Sequence, residues 1–256
     1  MRLGTVTYNL AKDWDVPTII EKCSANGFEG VELRTTHAHG VEVALSADQR
    51  KEVRRMFADS PVELVGLGSA FEYHAVEPDE VRRNIEGTKE YVKLAADVGT
   101  RGVKVRPNGL QVDKGIPKEK TLEQIGLALR ECGEFAQDYG IEIRLEVHGK
   151  DTCLPPNIKA IMDAADHDNV FVCWNSNQND LVDGSARPSF DLLKDKIRLV
   201  HMRDLYLTEY PWRELFGLLK GIGYQGFCLT EVADTSDPDR VMKYIRALFD
   251  AYVEMA

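Results

Sequence analysis

Short runs rich in Val, Ile and Leu alternate with longer segments of helical periodicity along the whole chain. This alternation predicts repeated strand–helix units around a parallel sheet. The expected strands cover residues 3–8, 30–34, 63–67, 102–106, 142–148, 170–175, 197–203 and 227–231. The helical segments between them cover 17–25, 47–59, 79–98, 118–139, 156–165, a weak one near 190–195, 212–221 and 238–255. Gly27, Gly99, Gly140 and Gly223 supply stop signals, and Ser46-Ala47-Asp48-Gln49 has the form of a capping box. Eight strands and eight helices in strict alternation imply an α/β fold of the closed (β/α)8 TIM-barrel kind, in one domain spanning residues 1–256.

Side-chain parity adds to this picture, because residues of a barrel strand face alternately inward and towards the helices. In the fifth strand Ile141, Ile143, Leu145 and Val147 share one face, and Glu142, Arg144, Glu146 and His148 share the other. The apolar set faces the helices, so the charged set points into the barrel. The same parity turns Lys104 and Arg106 of the fourth strand, and His201 and Arg203 of the seventh, inward. Buried charge is costly unless it is paired or holds a ligand, and in such barrels chemistry sits at the C-terminal ends of the strands.

Four strand-like runs end on side chains of metal-ligand type. They are Leu145-Glu146-Val147-His148, Cys173-Trp174-Asn175-Ser176, Val200-His201-Met202-Arg203 and Leu229-Thr230-Glu231-Val232. A carboxylate, an amide oxygen, an imidazole and a second carboxylate then meet as one divalent-metal site.

Composition narrows the partners. The formal net charge of −10, from 32 basic and 42 acidic residues, opposes a sequence-independent grip on nucleic acid, which rests on Lys and Arg neutralising phosphates. A small molecule fits better. The five cysteines are odd in number and lack a CxxC pair, so they read as reduced, buried thiols rather than a disulfide or zinc framework. No apolar run approaches the roughly 20 residues of a membrane span, and the first residues lack a signal-peptide core. The expectation is a cytoplasmic protein without membrane contact; a homo-oligomer is compatible with the sequence. The one sizeable irregular stretch, 176–189, is a candidate substrate loop.

With Gly27-Phe28-Glu29-Gly30-Val31-Glu32-Leu33 at the second strand, the strand-five and strand-seven motifs above, and Gly223-Tyr224-Gln225-Gly226-Phe227 leading to Glu231, the chain resembles the xylose-isomerase-like barrels over essentially its full length. That group includes sugar-phosphate isomerases, hydroxypyruvate isomerases, tagatose-type epimerases and inosose dehydratases. The resemblance implies a cation held by Glu146, Asn175, His201 and Glu231. Mn²⁺ or Mg²⁺ suits such donors, and Zn²⁺ or Co²⁺ is also compatible. The chain departs from the pattern at Asn175 and Gln178, where relatives usually carry an aspartate and, three residues on, a histidine. Two carboxylates balance a dication without Asn175 adding charge, which leaves the metal a stronger Lewis acid.

The resemblance further implies a sugar or keto-sugar isomerase or epimerase, with Glu146 and Glu231 as the acid/base pair and His148 as a hydrogen-bonding or proton-transfer group. Lys104, Arg106, Arg203 and Gln178 are the candidate substrate binders. Expelling a β-hydroxyl instead gives dehydration of a keto-sugar or inosose. A degenerate, non-enzymatic sugar-binding barrel is a further alternative. The abasic-site endonuclease of the same superfamily needs a richer histidine set than this chain has. Simpler roles stay open for each residue: Glu146 as an ion-pair partner of Arg144 or Lys104, His201 as a core histidine, Asn175 as a turn residue, and His148 as a support for Glu146. Lys104, Arg106 and Arg203 would then neutralise Glu32, Glu142 and Asp204. His37, His39, Glu72 and His74 fall in expected loops and carry little weight.

Overall fold

The computed structural model describes residues 1–256, and its eight parallel strands close into a barrel in sequence order, β1 pairing with β8. The strands are β1 (Arg2–Val6), β2 (Gly30–Arg34), β3 (Glu63–Glu72), β4 (Gly102–Arg106), β5 (Glu142–Glu146), β6 (Val170–Asn175), β7 (Ile197–Met202) and β8 (Phe227–Thr230). The helices are α1 (Val16–Ala25), α2 (Ala47–Ala58), α3 (Pro78–Val98), α4 (Lys118–Gln137), α5 (Pro155–Ala165), α6 (Arg187–Leu193), α7 (Trp212–Gly221) and α8 (Pro238–Met255). Each expected element is present. No helix is long and apolar enough to cross a membrane.

Local chemistry sets the helix ends. Asp15 caps α1 by accepting from the Thr18 N–H at 2.9 Å, and Ser46 with Gln49 closes the expected capping box on α2. Gly99 ends α3 at φ +84°, a left-handed turn that glycine takes without strain. α6 is short, at seven residues, with Pro188 in its first turn, where the missing N–H costs no helical hydrogen bond.

β3 departs most from expectation, running to Glu72 instead of stopping at Leu67. The expected strand ends before Gly68, Ser69 and Ala70. In the fold these continue β3, and its glycines are small because of what lies opposite. A Cβ on Gly68 would stand 2.8 Å from Glu32 Oε1, and one on Gly102 of β4 would meet the Arg144 guanidinium at 2.3 Å. The missing side chains make room for charged ones. β5, β7 and β8 pair for slightly less than their expected lengths, so Val147, His148, Arg203 and Glu231 lie just beyond the last paired residues. The backbone stays tethered there, with Val147 N donating to Cys173 O (3.0 Å) and Glu231 N to Met202 O (2.8 Å).

Apolar packing divides in two. A cluster of 59 buried residues fills the space between strands and helices and includes Val31, Leu33, Val103, Val105, Ile143, Leu145, Val147 and Val200. The second cluster has six residues, Val6, Val65, Cys173, Leu199, Phe227 and Leu229. At roughly 1.5–3 kcal/mol per fully buried aliphatic side chain, the outer layer carries most of the hydrophobic stabilisation. The barrel interior is thereby free to hold Glu32, Lys104, Arg144, Glu146 and His201, all buried. All five cysteines are buried and unpaired.

Candidate active site

The C-terminal ends of the strands enclose a cavity of about 390 Å³, lined by Tyr8, Arg34, Lys104, Arg106, Glu146, His148, Asn175, Asn177, Arg203, Asp204, Leu207 and Glu231. Only two of these twelve residues are hydrophobic, so the cavity suits a polyhydroxylated ligand better than an apolar one.

At its floor, ligand-type atoms of Glu146, His201 and Glu231 lie within 4.8 Å of one another. His201 Nδ1 is 3.6 Å from Glu146 Oε1, and its Nε2 is 3.4 Å from Glu32 Oε1. Both imidazole nitrogens and both Glu32 oxygens are buried without a hydrogen-bond partner. Glu146 is tied on both sides: Lys104 Nζ reaches Oε2 at 2.7 Å, and the Asn175 amide donates to Oε1 at 3.1 Å. Glu231 is half-buried, lines the cavity and forms no ion pair.

Electrostatics follow from this crowding. Burial alone would raise the Glu146 carboxyl, but the Lys104 ammonium and His201 hold it well below the usual carboxylate range. Burial opposes charge on His201, yet Cys173, Glu32 and Glu146 around it raise its pKa well above the ordinary histidine value. Burial also lowers Lys104, and Glu146 with Glu32 more than restores it.

A second network supports His148. Arg106 Nη2 donates to Glu72 Oε1 at 2.8 Å, Asn108 Nδ2 donates to the same oxygen, and Asn108 Oδ1 lies 2.8 Å from His148 Nδ1. Because the amide nitrogen must face the carboxylate, its oxygen faces the ring. His148 then carries its proton on Nδ1 and a lone pair on Nε2. Burial holds its pKa below the ordinary value, so the ring is neutral near pH 7. Gly149, at φ +92°, is required next to it, since a Cβ would sit 2.2 Å from the Asn108 carbonyl oxygen.

Of the sequence-derived candidates, Glu146, His148, Asn175, His201, Glu231, Lys104, Arg106 and Arg203 are drawn to this one end of the barrel. Gln178 is not: it is exposed on a short 3-10 turn and donates to the Glu209 carbonyl at 3.3 Å, while the neighbouring Asn177 lines the cavity. Asn175 turns its amide nitrogen to Glu146, so its oxygen would become a ligand only with the amide turned over. Of the simpler pairings, the Lys104–Glu146 ion pair is present, and the others differ from expectation. Arg144 binds Glu142 (2.8 Å), Lys104 binds Glu146, Arg106 binds Glu72, and Arg203 donates to Asn177 Oδ1 (3.2 Å). Sequence reasoning gave Glu72 little weight and did not single out Asn108, Arg34 or Tyr8. Glu72 was hidden by the misread end of β3; the inward parity of Glu32 and Arg34 on β2 was the available signal for Arg34. His39 is structural: its Nε2 lies 2.7 Å from the Arg34 carbonyl and its Nδ1 accepts from Val41 N.

The sequence profile of the xylose isomerase-like TIM barrels matches residues 20–251. The chain belongs to that family. No curated protein sequence matches it, but solved structures of similar fold are numerous. D-Psicose 3-epimerase from Clostridium cellulolyticum H10 superposes with a TM-score of 0.82 at 16% identity, covering 99% of both chains. The IolI protein, solved with a bound zinc atom, gives 0.80 at 18% identity over 99% of this chain and 98% of its own. The probable 3-DHS dehydratase AsbF from Bacillus anthracis gives 0.74 at 14% identity, over 98% and 99%. At these identities the likeness is one of fold.

The residues of this chain fit a divalent cation. Glu146, His201 and Glu231 supply two carboxylates and an imidazole from separate strand ends, and the buried, partnerless His201 nitrogens are the observation that fits a ligand there. Glu32 stands at the second His201 nitrogen as a carboxylate able to orient the ring.

Proposed function

We propose that the protein is a divalent-metal-dependent isomerase or epimerase that moves a proton at the carbon next to a carbonyl of a sugar or keto-sugar. The observation that carries this reading is the Glu146–His201–Glu231 cluster opening on a polar cavity of about 390 Å³. A cation held by these three residues, beside Asn175, supplies Lewis-acid polarisation of the substrate carbonyl when bound. Mn²⁺ or Mg²⁺ suits the oxygen donors, and Zn²⁺ or Co²⁺ the imidazole.

The protein's own groups divide the remaining work. Glu231, free of ion pairs, takes the proton from the substrate carbon on one side. Glu146, ion-paired with Lys104, faces the other side and completes the acid/base pair by taking a proton from solvent and returning it to the substrate carbon there. Lys104 and Arg106 hold substrate hydroxyls, and Tyr8 and Leu207 give the cavity its apolar contacts. A second reading, dehydration of a keto-sugar or inosose, is favoured by one observation: His148 lines the cavity with a free Nε2, and can accept a proton there and pass it to a leaving β-hydroxyl.

The test begins with metal analysis of the purified protein, followed by NMR detection of solvent deuterium entering a panel of keto-sugars. Exchange at the carbon next to the carbonyl is expected. In Glu231→Gln, at matched metal occupancy, it should fall by roughly two to four orders of magnitude, the range for a positioned acid or base. Near-normal exchange in that variant eliminates the two-carboxylate scheme in favour of His148. No exchange or turnover with any keto-sugar in metal-loaded protein leaves a sugar-binding barrel.

A further inference from the structure

We propose that the cavity takes a keto-sugar bearing a terminal anionic group, a carboxylate or a phosphate, and that Arg34 and Arg203 recognise that group. This deepens the proton-transfer reading and rests on its assignment of the cavity as a keto-sugar site. Cations in the lining that lack a carboxylate partner point to an anion. The lining holds four cations (Arg34, Lys104, Arg106 and Arg203) and three carboxylates (Glu146, Asp204 and Glu231), and Glu72 behind Arg106 makes the count even. The pairing within this set, rather than its total, marks the free cations.

Two of those cations are already answered. Lys104 pairs with Glu146 at 2.7 Å, and Arg106 with Glu72 at 2.8 Å. Arg34 and Arg203 are not. The Arg34 side chain makes one hydrogen-bond contact, Nη1 to His37 Nε2 at 3.1 Å, and the Arg203 side chain makes one, Nη2 to Asn177 Oδ1 at 3.2 Å. Both acceptors are neutral: Asn177 is an amide, and burial together with Arg34 itself keeps the His37 imidazole below its ordinary pKa. Neutral sugar hydroxyls are satisfied by amides, hydroxyls and backbone, and need no uncompensated guanidinium. A carboxylate or phosphate matches the planar fork of arginine, and such charge-assisted bonds are about twice as strong as neutral ones.

The strand order places these groups around the mouth. Arg34 ends β2, Tyr8 follows β1, Glu231 follows β8 and Arg203 follows β7, and these four strands are consecutive in the closed sheet. The guanidiniums therefore flank the arc that carries Glu231. They can draw the anionic end of a substrate to the rim while its carbonyl end meets the acid/base pair.

Calorimetric binding to metal-loaded protein tests this with three probes of similar carbon skeleton: a neutral ketohexose, a ketohexuronate and a ketohexose 6-phosphate. At least one anion should bind about tenfold or more tightly than the neutral ketose, the worth of one charge-assisted hydrogen bond. Which anion wins separates carboxylate from phosphate. The preference should shrink as salt is raised from 0.02 to 0.5 M, a measurement that needs no variant. In Arg203→Gln, whose side chain is exposed and whose loss leaves the fold intact, or in Arg34→Gln, the ratio of anion to neutral affinity should fall about tenfold. Equal affinity for all three probes in the unaltered protein, absence of anion binding, or an unchanged ratio in both variants overturns the proposal. Failure of the proton-transfer reading is a separate result: the anion preference persists while no probe takes up solvent deuterium.

Discussion

Asn175 donates its amide N–H to Glu146 Oε1 at 3.1 Å, so a neutral group occupies a place where a third carboxylate would repel the first. Replacing Asn175 with Asp adds a negative charge next to a buried carboxylate already crowded by Glu32. The metal-free Asn175→Asp protein should melt several degrees lower than the unaltered one, since about 1 kcal/mol corresponds to roughly 2–4 °C at this size. Mn²⁺ should raise its melting temperature more than it raises that of the unaltered protein, and turnover should fall as the cation becomes more neutralised. Identical Mn²⁺-induced shifts in the two proteins would refute the charge argument. At this scale the sequence was legible wherever a ligand-type residue ended an apolar strand: Glu146, His201 and Glu231. It was silent on Asn108, whose role depends on a left-handed backbone at φ +61° and on the approach of Glu72 from another strand.

Among the elements, β3 shows how a sheet accommodates a charged interior. Its inward glycines leave the volume that Glu32 fills, and a Cβ at Gly68 would fall 2.8 Å from Glu32 Oε1. Gly68→Ala should therefore destabilise the protein by about 1–3 kcal/mol, as overpacking of a well-filled interior does. Urea unfolding followed by circular dichroism measures this, and a change below about 0.5 kcal/mol would mean that Glu32 moves freely. The connecting loops carry a pH-dependent contact of their own. Asp180 is buried between the loops after β6 and β7, and burial raises its carboxyl to about 7, against hydrogen bonds from Asn177 N and Tyr210. The folded protein keeps a proton that the unfolded chain gives up near pH 4. The Asp180 contribution is thus full below about pH 4 and is lost as pH rises through about 7. Asp180→Asn retains an acceptor for both donors and removes the titration. Relative to this variant, the unaltered protein should lose several degrees of melting temperature between pH 5 and pH 8; parallel profiles would contradict the assignment.

For the whole molecule, the alternation of β-branched runs with helical periodicity determined the closed eight-stranded barrel, because each strand needs an apolar face towards a helix and each helix an apolar stripe towards a strand. Parity then determined which charged residues enter the barrel, since a period of two leaves no freedom once one face is committed to the helices. Both are local properties of the chain and can be read from it. Tertiary structure alone decided the partners. Lys104 chose Glu146, Arg106 chose Glu72, and Gln178 turned out of the cavity while Asn177 entered it. Those choices rest on distances between strands that are far apart in sequence, and on how β3 continues past its glycines. Hydrophobic pattern carries no information on them, because it records which face a side chain takes and not which side chain it meets there.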